Sequence, residues 1–416
     1  MGLLEVVEDR GTGFTLALDG VEPLLKAERR LWSHLEELVE SAGSRGLPFR
    51  LVLTSRDPGV LTEMERREGP LARPDLVLPL PRLPYRVAGW AHGSRTPSEA
   101  FLHWALLGDE PGHLPPRRNK HVSASGPVSE GRAGTKESGG PTASWAGVKS
   151  AVARRVLDPG GDLFDAPLNH LEITFQRPAR YATILRALAP APRDWSGVLE
   201  RAQGVEGGGQ LAPYLRRLEE EGLVQRQLPL DADPESRKRR YSVADPFHAF
   251  WFRFVLPLRS VLPTSDVEEL WDRAIAPGLD AYLQRWLEEA ARRWLREHAA
   301  ETFGVPARTV GALWGGEAPF PLAGRLANGQ VCYGLVDWTG TEDDLPGEMK
   351  RRMKATRYGI GRAARAPLFF LRRATPDEEV GGEQEELRRT LARDPLARLV
   401  GLEELMGSGP PSEAGP

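Results

Sequence analysis

The sequence predicts a multidomain α/β protein, and three stretches carry that prediction. In the first hundred residues, apolar runs of strand length alternate with helical segments, as in a parallel α/β sheet. Between residues 180 and 257, three short helical patterns precede two strand-like runs. From residue 281 onward, a long amphipathic segment is followed by apolar runs and a hairpin turn. With 416 residues, the chain is long enough for two or three domains.

The N-terminal stretch predicts a partial parallel sheet. The runs Phe14–Leu18 and Phe49–Ser55 have the length and composition of buried strands. Between them, Lys26–Gly43 has its leucines on one face and is predicted to be an amphipathic helix. A second helix is predicted around Val60–Glu68, and the apolar run Asp75–Leu83 is predicted to be the next strand.

The middle stretch predicts a winged helix-turn-helix. Four apolar residues between Tyr181 and Leu188 lie at helical spacing, and Asp194 is placed to cap the next helix. A third helical pattern, near Gln210–Glu221, ends at Gly222, as expected of a C′ glycine. Two strand-like runs then flank a basic turn, which is typical of a hairpin.

This winged helix could read DNA with its third helix and its hairpin. Two basic groups would then contact phosphates: Arg216 and Arg217 on the helix, and Arg237, Lys238, Arg239 and Arg240 in the turn. Alternatively, the glutamates at 219–221 pair with the helix arginines along a solvated face, and the module contacts protein. The aromatic residues between Phe247 and Phe254 have helical spacing, which predicts buried core and not base stacking.

The last stretch predicts a further α/β domain. Ala281–Glu301 is a strong amphipathic helix, and Asn328-Gly329 between apolar runs is a good hairpin turn. A helix near Glu348–Tyr358 and a strand over Ala366–Arg373 follow. From about Asp377 the charged sequence predicts one more helix.

Composition excludes several classes of protein. A net charge of −3 with a pI near 6.3 excludes a globally basic nucleic-acid coat, so any DNA contact must use a local patch. The single cysteine, Cys332, excludes an intrachain disulfide and a cysteine-cluster zinc site. No apolar run reaches the ~18–20 residues that span a bilayer, and the N-terminus lacks signal-peptide features. We therefore expect a cytoplasmic protein without a membrane partner.

A winged helix followed by an aspartate and the run FHAFWFRFVLP resembles a prokaryotic, archaeal-type family of AAA-type ATPases with a C-terminal restriction-endonuclease-like domain. The resemblance covers most of the chain. Leu16–Asp19 is similar to the family's Walker B strand, and LVLTS, ending at Ser55, to its sensor strand. The segment around Arg73 resembles the one that supplies an arginine to the phosphates, and residues 101–114 resemble the helical lid.

The resemblance implies that ATP and Mg²⁺ are held near Asp19, Ser55 and Arg73, yet this copy departs from the family. Gly20 stands where the catalytic glutamate is expected. A P-loop needs a Gly-Lys pair before the Walker B strand, and the sequence has no such pair, with about a dozen residues before Phe14. We therefore expect an N-terminally truncated, degenerate member without a cofactor. The alternative is an ATP-binding member whose P-loop is missing from this gene model.

The nuclease-like domain also departs from the family pattern. Its core would hold a divalent metal through an aspartate on one strand and a Glu-x-Lys pair on the next. Leu335 and Asp337 stand at the Glu and Lys positions. The upstream aspartate would fall near Phe320–Leu322, and no aspartate occurs between Asp280 and Asp337. Only Glu288 or Glu289 remains on the preceding helix, where glutamates are mostly solvated. This predicts no metal site and no nuclease activity.

The predicted division of the chain has five parts: an ATPase remnant with its lid at 1–115, a flexible Gly/Ser/Pro-rich linker at 116–150, the winged helix with the aromatic helix at 151–262, the nuclease-like domain at 263–400, and a disordered tail at 401–416. No catalytic residue is assigned. The expected function is a non-catalytic, DNA- or protein-binding regulatory protein.

Overall fold

The computed structural model shows a mixed α/β protein with many helices and small sheets. The residues it describes are 13–28, 30–55, 58–78, 82–115, 141–202, 204, 208–233, 236–314, 319–339, 345–355, 368–372 and 397–410. They form two compact units, one drawn from Met1–Pro81 and Leu168–Pro178, the other from Arg82–Pro167 and Ala179–Pro416. Among these residues, no helix combines the length and the apolar composition needed to cross a membrane.

The first unit is built on two parallel strands, as the sequence predicts. β1 (Phe14–Leu18) pairs with β2 (Phe49–Leu53), so that their carboxyl ends lie side by side. The predicted helix between them is divided into α1 (Glu22–Ala27) and α2 (Leu31–Ser44), and α3 spans Pro58–Glu65. The apolar faces of these elements form one small core, whose buried members are Trp32, Leu35, Met64 and Leu71.

The prediction of a third strand over Asp75–Leu83 is wrong for residues 75–78 and 82–83, the part of this range that the structure describes. Leu76 and Leu78 are each 69% exposed, and no strand forms there. The physical reason lies in the prolines at 74, 79, 81 and 84, which have no N–H to donate to a sheet. An apolar run with this many prolines cannot be a central strand.

Residues 82–115 belong to the second unit, although the sequence analysis grouped them with the ATPase remnant. Here α4 spans Tyr85–Ala91 and α5 spans Pro97–Leu107. The second of these helices is apolar on all sides, and Ala100 to Leu107 are all buried. A helix of this kind must lie inside a core. It provides that core with Phe101 and Trp104. The ring centroids of Phe101 and Trp338 are 5.2 Å apart, and those of Trp104 and Trp286 are 5.7 Å apart.

The predicted linker at 116–150 is wrong over its last ten residues. α6 (Pro141–Val152) is a helix that continues through a π-helical turn, Ala153–Leu157, and α7 spans Ala166–Thr174. The helix is explained by Trp145, Val148 and Val152, which recur at helical spacing. Val148 is fully buried, and the Trp145 ring lies 6.0 Å from that of Trp271. Residues 116–140 lie outside the described residues.

Three helices and a hairpin follow in the predicted order. They are α8 (Pro178–Leu188), α9 (Trp195–Arg201), α10 (Gly208–Glu220), and the antiparallel strands β3 (Val224–Gln227) and β4 (Arg240–Val243). Two predicted helix ends are confirmed. The Asp194 carboxylate accepts a bond from Gly197 N at 2.9 Å, and Gly222 has a φ of +66°.

The aromatic helix is buried, as predicted. α11 (Pro246–Phe250) continues through Trp251–Val255, and Phe247, Phe250 and Trp251 are 0% exposed. A short helix, α12 (Val267–Leu270), then leads into α13 (Ala276–Phe303). The predicted apolar face of that long helix, including Trp286 and Trp294, is likewise buried.

The last part of the chain forms a mixed five-stranded sheet. Its strands, in the order in which they pair, are β5 (Ala307–Leu313), β6 (Phe320–Leu326), β7 (Val331–Asp337), β8 (Leu368–Arg372) and β9 (Ala397–Val400). The first three are antiparallel and the last two add in parallel. The predicted turn at Asn328-Gly329 is confirmed by the φ of +85° at Gly329, and α14 spans Leu345–Ala355. β9 was not predicted from the sequence, and most of the helix predicted from Asp377 lies outside the described residues.

The predicted disorder from residue 401 is wrong for a short helix, α15 (Leu402–Met406), whose Leu402 and Leu405 are buried. Tyr85 Oη donates to Leu405 O at 2.8 Å, and Trp90 Nε1 donates to Met406 O at 2.9 Å. The tail is ordered here because two buried side chains supply partners for its backbone carbonyls.

Candidate functional site

The second unit contains a cleft of about 880 Å³, which lies in the size range of ligand pockets. The hairpin β3–β4 lines one part of it. Other lining residues come from β5, β6 and β7, from the helices α13 and α14, and from residues 190–192 and Arg253. Its charged lining residues are Arg240, Arg253, Arg285, Arg292 and Arg352 with Asp280, Glu288, Glu289, Asp337 and Glu348. The cleft therefore combines both signs of charge at the place where the hairpin meets the sheet.

The hairpin turns a polar face toward this cleft. Gln225 is paired with Ser242, and Gln227 with Arg240. Opposed residues of an antiparallel pair share one face, and all four of these line the cleft. The alternate residues Val224, Tyr241 and Val243 point the other way and are buried, whereas Arg226 on that face is exposed. The alternation of the two strands thus fixes which side chains reach the cleft.

Helix α13 presents residues from several successive turns to the same space, among them Arg285. Arg285 donates from Nη1 to Ala189 O at 3.0 Å and from Nη2 to Val243 O at 3.2 Å. Burial lowers the pKa of its guanidinium to about 10. Arg285 is therefore a desolvated cation that remains charged at neutral pH.

Glu288 and Asp337, both assigned from the sequence to a nuclease-site remnant, line this cleft. Gln284 connects their elements: its Nε2 donates to Glu288 Oε1 at 3.0 Å and to Val336 O at 2.8 Å. Its Oε1 accepts from Trp338 N at 2.7 Å. Asp337 is 6% exposed and accepts a bond from Thr339 Oγ1.

The expectation that the helix glutamates are solvated is wrong. Glu289 is 6% exposed, and burial raises the pKa of Glu288. Although burial opposes it, the guanidiniums of Arg292 and Arg293 hold the pKa of Glu289 below its usual value. A helix that packs against a sheet buries even its charged residues on that face, and pairing them then becomes necessary.

Arg292 also reaches the neighbouring strand. Its Nη1 donates to Pro321 O at 2.6 Å, within the segment where the family resemblance would place a metal-binding aspartate. On α14, the Glu348 carboxylate accepts bonds from Arg351 and Arg352 at 2.9 and 2.5 Å. Two of the cleft's carboxylates, Glu289 and Glu348, are therefore neutralised by arginine.

The basic residues predicted to contact DNA are not equivalent. Arg217 Nη2 lies 2.7 Å from Glu221, so the alternative prediction of helix-face pairing is confirmed for this residue. Arg216 on α10 is exposed, as are Arg237 and Lys238 in the hairpin turn. Arg239, in the same turn, donates from Nε to Ser236 O at 3.3 Å. The guanidinium of Arg240 instead lies 5.0 Å from the Trp314 ring and lines the cleft.

In the first unit, the predicted nucleotide residues lie at the ends of the paired strands. Asp19 accepts a bond from Thr54 Oγ1 at 2.5 Å, and Ser55 Oγ donates to Glu22 Oε1 at 2.7 Å. The parallel register brings Asp19 and Ser55 to the same edge. Arg73 is exposed. Thr54 and Glu22 were missed by the sequence analysis, although each adjoins or closely follows a residue assigned there.

A second group of charged residues was missed entirely. Asp109 and Asp245 are both 0% exposed, and they lie beside Arg82 and Arg293. Asp245 caps α11 by accepting from His248 N at 2.7 Å. The sequence offered one signal for this, since an aspartate directly before a proline is typical of a helix start.

Comparison with known proteins gives two similarities. The model of the DUF234 family, described as archaeal and bacterial proteins of unknown function, matches residues 251–343, which run from the aromatic helix through β7. An uncharacterized protein of Methanocaldococcus jannaschii is 31% identical over 129 residues, or 30% of this chain. The matched part of the chain spans 28% of that relative's length. Neither description states an activity.

Proposed function

We propose that this chain is a binding protein, composed of a winged helix-turn-helix and a nuclease-like α/β domain, that contacts DNA without cleaving it. The order of α8, α9, α10 and the β3–β4 hairpin supports the winged helix. A bridge between Arg193 and Tyr241 adds a third extended segment to that hairpin. Their backbone groups bond in both directions, at 2.9 and 2.7 Å.

A nuclease-like origin is supported by the order of elements after residue 276. The long helix α13, the antiparallel β5–β7, the helix α14 and the parallel strand β8 follow the order that the family resemblance implies. Asp337 and Glu288 line one cleft beside β7, where the metal site of such a domain would be expected.

The position of Arg292 is the main support for the proposal that the protein does not cleave DNA. Its guanidinium contacts Glu289 and the backbone of Pro321, so a cation of the protein lies beside the strand segment from which a nuclease would bind metal. A divalent metal needs carboxylate oxygens that are free to coordinate it, and a fixed guanidinium competes for them and repels the ion.

The DNA contact is supported by the exposed basic side chains. Arg216 lies on the helix that enters the groove in winged helices, and Arg237 and Lys238 lie in the hairpin turn. With a net charge of −3, the chain can bind DNA only through such local patches.

The test is a titration of the full chain with a labelled DNA duplex over a series of salt concentrations, together with an assay for cleavage in Mg²⁺. We expect binding at low salt that weakens linearly with the logarithm of the salt concentration, and no cleavage. Absence of binding at low salt would overturn the DNA contact and favour a protein partner. Cleavage by the purified chain would overturn the non-catalytic assignment.

A second candidate function, nucleotide binding, is favoured by the first unit. Asp19 and Ser55 lie at the carboxyl edge of two parallel strands, where α/β proteins bind ligands. Titration of the chain with ATP and Mg²⁺ tests it. Micromolar binding of ATP by the wild type, abolished in Asp19→Asn, would support this candidate. If Asp19→Asn bound ATP with the affinity of the wild type, the candidate would be refuted.

A further inference from the structure

Three arginines line the cleft without a carboxylate partner among the described residues. Arg285 bonds to backbone carbonyls only. Arg253 donates from Nη2 to Gly278 O at 3.0 Å, and its guanidinium lies 4.7 Å from the Phe254 ring. Arg240 lies over the Trp314 ring. Carbonyl and ring contacts orient these guanidiniums, and none of the three is within ion-pair distance of a carboxylate among the described residues.

The carboxylates of the same cleft have other donors. Glu289 and Glu348 are paired with the arginines named above, and Glu288 accepts from Gln284. Asp337 accepts from Thr339, and Asp280 accepts from Trp338 Nε1 at 3.1 Å. The cleft therefore has no carboxylate, among the described residues, that forms an ion pair with Arg240, Arg253 or Arg285.

Ser242 adds an independent observation. It is 1% exposed and lines the cleft, and its Oγ has no hydrogen-bond partner among the described residues. It lies two positions after Arg240 on β4, and the carbonyl of its neighbour Val243 holds Arg285. A buried hydroxyl without a partner is costly, so such a group calls for a partner that comes from outside the chain.

We infer that this cleft binds the phosphate of a small phosphorylated molecule. Arg240, Arg253 and Arg285 supply the charge, and the Ser242 hydroxyl donates a hydrogen bond to the phosphate. Guanidinium forks match phosphate oxygens in geometry, and three of them suit a doubly charged group better than a single carboxylate. Gln225 and Gln227, on the same hairpin face, are available to the rest of the ligand. The inference does not depend on DNA binding, because the exposed residues Arg216, Arg237 and Lys238 take no part in it.

The experiment is a calorimetric titration of the full chain with pyrophosphate at constant ionic strength. We expect the wild type to bind, and Ser242→Ala to bind about tenfold more weakly, the usual cost of losing one hydrogen bond to a charged group. Removing an unsatisfied hydroxyl does not destabilise a fold, so Ser242→Ala should keep or raise the melting temperature. If Ser242 had only a structural role, its replacement by alanine would not lower the affinity for pyrophosphate while leaving the melting temperature unchanged.

Arg240→Gln is the second variant and should also weaken binding about tenfold or more. The matched control is Arg226→Gln, which removes an exposed arginine from the other face of the same hairpin and should leave the affinity unchanged. No pyrophosphate binding at millimolar concentration, or wild-type affinity in Ser242→Ala, would overturn the inference. Citrate binding tighter than pyrophosphate binding would overturn the assignment to phosphate.

Discussion

The guanidinium of Arg82 lies 2.7 Å from the fully buried carboxylate of Asp245, which is 163 residues away in the sequence. The same Nη1 lies 3.3 Å from Asp109, and Nη2 donates to the carbonyl of Gly222, where α10 ends. Burial by itself would raise the pKa of Asp245. Arg82 and His248 outweigh this effect and hold the pKa far below its usual value. One side chain thus connects two buried acids with the C-terminal end of α10.

Removing Arg82 should destabilise the second unit strongly. In Arg82→Ala, both acids stay buried with one cation fewer, and we expect a loss of about 3 kcal/mol in the free energy of unfolding. Urea denaturation followed by tryptophan fluorescence measures it. Arg95→Ala, which removes an exposed arginine nearby, should change stability by less than ~0.5 kcal/mol. Equal effects of the two substitutions would contradict the role given to Arg82.

Acid should destabilise the fold through buried histidine. Burial lowers the pKa of His103 from its ordinary value of 6.5 to about 4, so the unfolded chain binds a proton in this range that the folded chain does not. Stability must therefore fall as the pH falls from about 6.5 to 4. For His103 alone we expect a loss of about 2 kcal/mol between pH 7 and pH 5.

The measurement is the free energy of unfolding at several pH values for the wild type and for His103→Gln. The variant loses the contact between Ser94 Oγ and His103 Nδ1, which lowers its stability at every pH. Its dependence on pH between 7 and 5 should nevertheless be smaller than that of the wild type. An identical pH dependence would show that His103 does not titrate as its burial requires.

The hairpin turn should account for part of the salt dependence of DNA binding. Each phosphate contact contributes about 0.9 to the slope of log K against log salt concentration. Replacing Arg237 and Lys238 together by alanine should therefore reduce that slope by about 2. Arg217→Ala is the matched control, because this arginine is already paired with Glu221 and should contribute little. If Arg217→Ala reduced the slope more than the double variant at Arg237 and Lys238 did, the phosphate contacts would lie on the helix and not in the turn.

Mg²⁺ should not raise the stability of the protein by binding in the cleft beside β7. A ligand that binds only the folded state raises its stability, and bound metal would therefore raise the melting temperature. We expect no Mg²⁺-dependent rise in the wild type and the same result for Glu288→Gln, whose side chain can still be bonded by Gln284. A rise in the wild type that Glu288→Gln abolishes would restore a metal site to this cleft.

Patterns of short range were predicted well from the sequence. The strands Phe14–Leu18 and Phe49–Leu53, the Asp194 cap and the buried aromatic helix all follow from residue spacing and local backbone chemistry. The helix at Pro141–Val152 was missed because the Gly/Ser-rich residues before it hid its apolar spacing. The short strand Ala397–Val400 gains its stability from the neighbouring strand Leu368–Arg372, which no local pattern reveals.

By itself, the sequence determined most of the helices and strands in their order, together with the helix ends at Asp194 and Gly222. Only the tertiary structure decided which charges meet. It paired Arg82 with Asp245, buried Glu289 beneath Arg292, and placed Arg240 and Ser242 on the face of the hairpin that lines a cleft. Spacing along the chain fixes which face of an element a residue occupies. What that face packs against depends on contacts between distant segments, and those contacts set burial, pairing and charge.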